Sequence, residues 1–244
     1  MKYILILSFA VGLALAELPS YIKVCKKSNP DLAKCIINSV MSLKPKLAEG
    51  ISELEVPPLE PLLLDTIKLR SGPSSAKIDA NITNLLVYGA SAFELPNLVP
   101  DVEKNRFLFK AVIPHIFFKG DYDIDMNVLI LKYKGQGPLT GNFTDLTLEV
   151  LLRGKLININ GVKHLNFRKI GMKLSHIGHA KLHLGNLFAD QEGLGRATNE
   201  VVNENSDIFI NEIKPNLEDA LSEKFTEISN IICTKFTYDE LFPN

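Results

Sequence analysis

Residues 107–131 read FLFKAVIPHIFFKGDYDIDMNVLIL and carry apolar side chains at every second position over most of their length. A two-residue period is typical of β-strands, whose successive side chains point to opposite faces of a sheet. In the first half of this stretch, one face carries Phe107, Phe109, Ala111, Ile113, His115 and Phe117. In the second half, one face carries Tyr122, Ile124, Met126, Val128 and Ile130. If Lys119 and Gly120 form a two-residue turn, both sets fall on the same side of a hairpin. The sequence therefore predicts a sheet with one broad apolar face.

The same period extends from about residue 67 to residue 187. It is interrupted by turn-forming clusters at Ser71 to Pro73, Lys119–Gly120, Gly135 to Pro138, Asn160–Gly161 and Gly178. Short breaks of this kind between alternating segments indicate antiparallel strands joined by tight turns. A strand that starts at Lys77 is expected to point Ile78 inward and Asn81 outward.

Helical spacing of apolar residues appears on either side of this strand region. Near the N-terminus, Asn29 can cap a helix with Pro30 at its first position, and the pattern stops at Gly50. After Gly195 the helical period returns and continues to about Ile232, with an expected kink near residues 211–215 because Pro215 lies inside it. A long amphipathic helix beside a sheet with one apolar face predicts an α+β fold in which a strongly curved antiparallel sheet wraps the helix.

The first residues, MKYILILSFAVGLALA, have the layout of a secretory signal peptide that is cleaved after Ala16. The apolar run is too short for a membrane-spanning helix, so no stable membrane insertion is expected. The remaining residues, 17–244, suit a single secreted, extracellular domain. The formal net charge of the chain is only −1, which disfavours nucleic acid and electrostatic membrane binding.

Three cysteines and two glycosylation sequons matter in an oxidising extracellular setting. Cys25 and Cys35 flank a turn-like Ser-Asn-Pro segment and are expected to pair, which leaves Cys233 as a buried thiol rather than an intermolecular bridge or a nucleophile. Asn81-Ile-Thr and Asn142-Phe-Thr are candidate glycosylation sites. Because Asn142 shares its parity with the apolar Leu146, a bulge is needed if Asn142 is to carry a glycan.

Several segments together resemble the takeout and juvenile-hormone-binding family of secreted insect proteins. They are the signal peptide, the Cys25–Cys35 pair, the Pro- and Leu-rich segment 56–64, GDYDIDMNVLILKYKGQG at 120–137, LFADQEGLGRATNEVVNENSDIFINEIKP at 187–215, and the final YDELFPN. The likeness covers nearly the whole chain after residue 16. The hormone-binding branch is typified by a second disulfide, whereas Cys233 has no partner, which places this chain nearer to the broader takeout group.

The resemblance implies a fold related to the tubular lipid-binding proteins, with an internal apolar tunnel for a hydrophobic ligand. The candidates for the tunnel lining are Phe107, Phe109, Ile113, His115, Phe117, Tyr122, Ile124, Met126, Met172, Leu174 and His176. Each apolar member could instead pack directly on the helix, and each histidine could be satisfied by the protein itself. The expected function is a secreted carrier for a lipid, a terpenoid or a molecule like juvenile hormone. The alternative is a signalling protein with a self-filled core that acts through a protein partner such as a receptor.

Other chemistries are disfavoured by the sequence. The segment HIGHAKLH, residues 176–183, offers three histidines, but on a strand His179 and His183 point outward and no carboxylate stands nearby. The segment GASAF, residues 89–93, lacks the second glycine of a nucleophile elbow. No enzyme, bound metal or cofactor is therefore expected.

Overall fold

The computed structural model describes residues 18–71, 77–128 and 131–244. Its helices are α1 (Leu32–Glu49), α2 (Glu192–Glu204), α3 (Ser206–Lys235) and α4 (Tyr238–Leu241). Its strands are β1 (Leu62–Ser71), β2 (Lys77–Tyr88), β3 (Glu94–Asp101), β4 (Arg106–Val128), β5 (Leu131–Ile159), β6 (Val162–Phe167), β7 (Gly171–His176) and β8 (His179–Leu184). The expected signal peptide and the turn residues Gly72 and Pro73 lie outside the described residues.

One antiparallel sheet contains all the strands, in the order β1, β2, β4 and β5. Beyond β5 the short strands β8, β7 and β6 pair with successive stretches of that one long strand. Strand β3 pairs with the first part of β4. The two long strands, β4 with 23 residues and β5 with 29 residues, form the centre of the sheet.

The sheet curls around helix α3. The helix runs close to β1 at one edge of the sheet and close to β6, β7 and β8 at the other, whereas within the described residues β2, β4 and β5 do not approach it comparably. A single straight helix can reach both edges only if the sheet bends over it. The predicted α+β fold is thus confirmed as a curled antiparallel half-barrel with a long C-terminal helix and a short N-terminal helix.

The prediction of a hairpin at Lys119 and Gly120 is wrong. Strand β4 continues through both residues, and Gly120 pairs with Leu139 of β5 in an unbroken register. The expected turn from Gly135 to Pro138 is also wrong, because these residues lie inside β5. Glycine weakens a strand without necessarily ending it, and here the two glycine-containing stretches lie in the continuous pairing of β4 with β5.

In both long strands, the positions whose side chains face the interior change from odd to even numbers at the same level of the sheet, and this change is called the exchange of faces. In β4 the buried positions change from odd to even numbers between Ile113 and Ile116, and in β5 they change between Phe143 and Leu146. The pairing register between the strands is the same before and after this level, so both strands switch together. Pro114 has no backbone N–H to donate, and Asp145 adopts a left-handed conformation with φ of 54°. This pair of residues explains why strict alternation fails here.

The N-terminal helix starts later than predicted. Asp31, not Asn29, is the residue before its first turn, and the Asn29 side chain accepts a hydrogen bond from the Asp31 N–H at 2.9 Å. Gly50 ends the helix as predicted, with φ of 86°. The predicted disulfide between Cys25 and Cys35 is present.

The C-terminal helical region is divided at Asn205, which separates α2 from α3. The sequence predicted one long helix with a kink near residues 211–215. Helix α3 contains Pro215 and continues for another 20 residues, to Lys235. The expected single helix is therefore divided about ten residues upstream of the proline, and the kink near residues 211–215 stays a prediction.

Candidate ligand-binding site

The inner wall of the curled sheet is apolar throughout. Its fully buried positions on the central strands include Ile78, Ala80, Ile82, Ile116, Phe118, Tyr122, Ile124, Met126, Phe143, Leu146, Leu148 and Val150. From the helical side, Val202, Phe209 and Ile210 are buried in the same cluster. The interior thus offers dispersion contacts and almost no charge.

A second set of inward-facing residues is only half-buried. It comprises Phe109, Ala111, Leu152, Met172, Ala180 and Leu182 on the sheet and Ile213, Leu217, Leu221 and Phe225 on α3, all of which contact the buried cluster. Side chains that face a solidly packed interior are normally fully buried. The surface of these side chains that remains accessible is not covered by the protein's own atoms.

Two tyrosines connect the long strands to the turn after β8. The Tyr122 hydroxyl donates to the Gly185 carbonyl oxygen at 2.6 Å and lies 3.4 Å from the Tyr133 hydroxyl. Tyr122 is only 2 % exposed, and its burial raises its pKa, so the phenol stays neutral. The Tyr133 ring packs edge-on against Phe188. These contacts join β4 and β5 to the turn between β8 and α2.

The end of the sheet opposite to these tyrosines carries a groove of about 520 Å³. Its lining comes from the N-terminal segment, the turn between β3 and β4, and the C-terminus, with Lys27, Leu32, Pro100, Asp101, Val102, Glu103 and Tyr238. The Lys27 ammonium lies 4.7 Å from the centre of the Tyr238 ring. This groove, called the end groove below, lies beside the apolar cluster that contains Phe107, Leu165 and Phe167.

A smaller groove of about 240 Å³ separates α3 from strand β1. Its apolar residues are Leu64, Ile67 and Ala220, and its polar rim includes Glu223 and Lys224. At this groove, α3 and β1 therefore pack less closely than they do along the rest of their contact.

Amide side chains attach the helices to both edges of the sheet. Asn216 of α3 accepts from the Arg70 N–H of β1 at 3.4 Å and donates to the Arg70 carbonyl oxygen at 3.3 Å. Asn230 makes the equivalent pair with Phe167 of β6 at 2.7 and 2.9 Å. Helix α2 repeats the arrangement on β8, with Asn199 on Leu184 and Asn203 on Leu182. The position of the helix under the sheet is therefore fixed by polar contacts, not by apolar packing alone.

Most of the predicted lining residues do face the interior. Ile113, Tyr122, Ile124, Met126 and Leu174 are buried there, and Phe109 and Met172 are half-buried. Phe107 also faces inward but is packed in the protein's own core, with its ring stacked on Phe242 at a centroid distance of 5.8 Å. Whether any of these residues contacts a ligand stays a prediction.

The expectation that His115 and Phe117 line the interior is wrong. His115 is exposed on the outer surface, where its Nε2 lies 3.1 Å from the Asn142 Oδ1. Phe117 is half-buried beside Tyr88 at a ring distance of 5.8 Å, between the inward-facing Ile116 and Phe118. Both follow Pro114, so the exchange of faces carries them outward.

His176 is likewise exposed, which contradicts its expected position beside Leu174 on the inner face. The pairing of β7 with β5 shifts between these residues, because Leu148 faces Leu174 while Thr147 faces His176. The extra residue, Ser175, forms a bulge, and a bulge reverses the direction of the side chains that follow it.

The sequence pattern missed four inward-facing residues. Ile116, Phe118 and Phe143 are buried, and Tyr133 is half-buried. A proline in the middle of an apolar strand was the available signal, because proline inside a sheet usually marks an irregularity.

Two further observations bear on other kinds of function. In the part of the chain that the structure describes, no three His, Cys, Asp or Glu side chains come together to hold a metal ion, and His176, His179 and His183 are all exposed. Among the described helices, none combines the length and the hydropathy needed to cross a membrane.

A long helix held by a curled antiparallel sheet with an apolar interior defines a class of half-barrel proteins. The chain belongs to the haemolymph juvenile hormone binding protein (JHBP) family, whose family model matches residues 4–243. The takeout and juvenile-hormone-binding resemblance of the sequence is thus confirmed.

Three known proteins show the range of this similarity. The chain is 26 % identical over 235 residues to the circadian clock-controlled protein daywake of Drosophila melanogaster, covering 92 % of this chain and 88 % of daywake. It is 22 % identical over 225 residues to a putative beta-carotene-binding protein of Schistocerca gregaria, covering 91 % of this chain and 88 % of that protein. The crystal structure of Epiphyas postvittana Takeout 1 matches with a TM-score of 0.74 and 19 % identity, covering 87 % of this chain and 96 % of Takeout 1. The last match supports the fold.

Proposed function

We propose that this protein is a secreted carrier that holds a small hydrophobic ligand between α3 and the curled sheet, without chemical change. The observation that carries the proposal is the set of inward-facing apolar residues that are only half-buried. Met172, Leu182, Leu221 and Phe225 represent this set on the two opposing surfaces. An apolar guest would cover their remaining accessible surface.

The energetics suit an uncharged, apolar ligand. Burial of apolar surface contributes about 25 cal/mol per Å², so 300 Å² of ligand surface would contribute roughly 7 kcal/mol before the costs of ordering. The interior offers few polar groups, and the Tyr122 hydroxyl is already engaged by Gly185. Shape and hydrophobicity would therefore select the ligand more strongly than hydrogen bonds.

The family and one relative support a ligand class. The family takes its name from binding of juvenile hormone, and the Schistocerca gregaria relative is described as a putative carotene-binding protein. Both names refer to apolar isoprenoid molecules. We propose a lipid or terpenoid as the ligand class, on a single domain of residues 17–244 that is secreted after loss of residues 1–16.

Titration with the apolar fluorophore N-phenyl-1-naphthylamine tests the proposal. Wild-type protein is expected to give saturable binding with one probe per chain. Ala111→Trp fills space at a half-buried inward position and should reduce probe binding, whereas Lys110→Trp adds the same ring on the opposite face and should not.

If Ala111→Trp fails to fold, Met172→Phe provides a milder change at a second half-buried inward position. Saturable probe binding that neither inward substitution alters would contradict the proposed location. Absence of saturable binding by the wild type would instead favour an interaction protein whose core is filled by its own side chains.

A further inference from the structure

The charges of this chain are strongly segregated along the sequence, although its formal net charge is only −1. Residues 150–189 contain no Asp or Glu, but they contain Arg153, Lys155, Lys163, Arg168, Lys169, Lys173 and Lys181. All seven side chains are exposed. These residues belong to the end of β5 and to β6, β7, β8 and their connections. Lys169 is paired with Asp219 and Glu223 of α3, but the other six form no ion pair with a described residue, so part of this surface is locally cationic.

Three arginines meet at one end of the sheet. Arg106 and Arg153 face each other directly across β4 and β5, and the Arg168 N–H donates to the Arg153 carbonyl oxygen at 2.9 Å. None of these guanidinium groups forms an ion pair with any residue that the structure describes. Like charges placed directly opposite each other destabilise a sheet, so an anion bound between them would relieve a real cost.

Two carboxylates on the strands beside the arginines have lysine partners, whereas the exposed Glu103 in the turn before β4 has no ion pair with a described residue. Asp101 is the cross-strand neighbour of Arg106 but pairs with Lys104 at 3.2 Å. On the next outward-facing row, Glu149 pairs with Lys110 at 3.2 Å. Lys104 is the main cause of the lowered pKa of Asp101 and the Arg106 charge adds to it, so Arg106 is compensated in part but forms no ion pair of its own.

An apolar row lies beside the arginines on the same outer face. Val99, Leu108 and Leu151 are aligned across β3, β4 and β5, two residues along each strand from Asp101, Arg106 and Arg153. Val99 is 60 % exposed and Leu108 is 41 % exposed, while Leu151 is half-buried. The apolar row and the three arginines together are called the basic-apolar patch.

The position of the patch favours a membrane as its partner. The end groove shares Asp101 with this region, so the patch lies next to the groove. The sequon residues lie elsewhere. Asn142 pairs with Phe117, nine residues along β4 from Leu108, or roughly 30 Å, and Asn81 pairs with Asp123, still farther along the same strand. Glycans at Asn81 or Asn142 would leave the patch uncovered.

We infer that the basic-apolar patch docks the protein on the surface of an anionic phospholipid bilayer. Guanidinium groups bind phosphate oxygens in a bidentate geometry, and exposed aliphatic side chains beside cations insert at the boundary of headgroups and acyl chains. The inference deepens the proposed carrier function, since it brings the end groove close to a source or destination of apolar ligand.

Flotation of full-length secreted protein with vesicles tests this inference. We expect binding to vesicles of phosphatidylcholine with phosphatidylserine at low salt, weaker binding at high salt, and little binding to phosphatidylcholine alone. Arg106→Gln with Arg153→Gln should lower the partition coefficient by roughly tenfold or more. Lys68→Gln with Lys132→Gln removes the same charge from exposed positions outside the patch and is the matched control.

The apolar row has its own pair of variants. Val99→Thr with Leu108→Thr keeps strand-forming residues while removing apolar surface, and it should also weaken binding. Leu63→Thr, at a position that is 42 % exposed on β1, should not. Equal loss in patch and control variants would overturn the inference, as would failure of the wild type to bind anionic vesicles; the patch would then suit an acidic protein partner instead.

The outcome can be separated from that of the carrier proposal. Probe uptake by the wild type without vesicle binding would overturn docking and leave the carrier function intact. Vesicle binding that depends on the patch, without any uptake of N-phenyl-1-naphthylamine, would support docking and contradict the carrier function.

Discussion

The side chain of Asn203 pairs with the backbone of Leu182 through two hydrogen bonds of 2.8 Å, accepting from the N–H and donating to the carbonyl oxygen. An exposed strand edge presents unpaired backbone groups that favour aggregation unless something covers them. Asparagine on a helix can satisfy both groups of one edge residue at once. The repetition of this pair at Leu184, Phe167 and Arg70 shows that the helices complete the edges of the sheet as well as its core.

We expect Asn203→Asp to destabilise the protein by about 1–3 kcal/mol at neutral pH, because a carboxylate cannot donate to the Leu182 carbonyl oxygen. Urea-induced unfolding measures the change. The loss should diminish at acidic pH, since the protonated carboxyl regains a donor. Asn211→Asp makes the same chemical change at an exposed position and should have little effect; equal destabilisation by both would contradict the role of the edge pairs.

Asp145 should tolerate glycine but not valine. Its φ of 54° lies in the left-handed region, where β-branched residues are strongly disfavoured. We expect Asp145→Val to cost about 2 kcal/mol and Asp145→Gly less than about 1 kcal/mol, measured by thermal or urea unfolding. Asp123→Val, an exposed position in the regular part of β4, is the matched control. Similar costs for the two valine variants would mean that the exchange of faces does not depend on Asp145.

Cys233 should be chemically inert in the folded protein. Burial raises its pKa from 9.0 to about 12, which lowers the reactive thiolate fraction at neutral pH by about a thousandfold. Labelling with iodoacetamide, followed by mass spectrometry, should be slow in buffer and fast in guanidinium chloride. Rapid labelling of native protein would show that this thiol is accessible.

Both sequon asparagines should accept glycans. Asn81 and Asn142 are half-buried on strands whose neighbouring residues Ile82 and Phe143 point inward, so both side chains face outward. The exchange of faces near Asp145 supplies the irregularity that the sequence required for Asn142. Treatment of secreted protein with a glycosidase should lower its mass, and Asn81→Gln and Asn142→Gln should each remove one part of that difference. An unchanged mass would contradict the prediction.

The sequence predicted the architecture but not the detail of the inner face. Periodicity of two or of 3.6 residues reveals which segments pack against a core, and it correctly gave the curled sheet and the long helix. It fails wherever the alternation is interrupted, as at Pro114 in β4 and at Ser175 in β7. From either point onward, every side chain reverses its direction. His115, Phe117 and His176 were misplaced for this reason alone.

Composition also concealed the distribution of charge. A net charge of −1 suggested that anionic surfaces are poor partners. The sum includes acidic residues on the C-terminal helices and basic residues on β5 to β8; Lys169 is paired with Asp219 and Glu223 of α3, whereas Arg106, Arg153 and Arg168 form no ion pair with a described residue. A surface that comes within a Debye length of the protein interacts with the local charge of the strands that face it, not with the net charge of the chain.

Native mass spectrometry of the secreted protein tests the central proposal most directly. We predict a population whose mass exceeds that of the polypeptide and its glycans by one small molecule, and loss of this excess after extraction with organic solvent. The extract should contain an apolar lipid or terpenoid. Protein that carries no extractable molecule, and that also fails to take up N-phenyl-1-naphthylamine, would contradict the account.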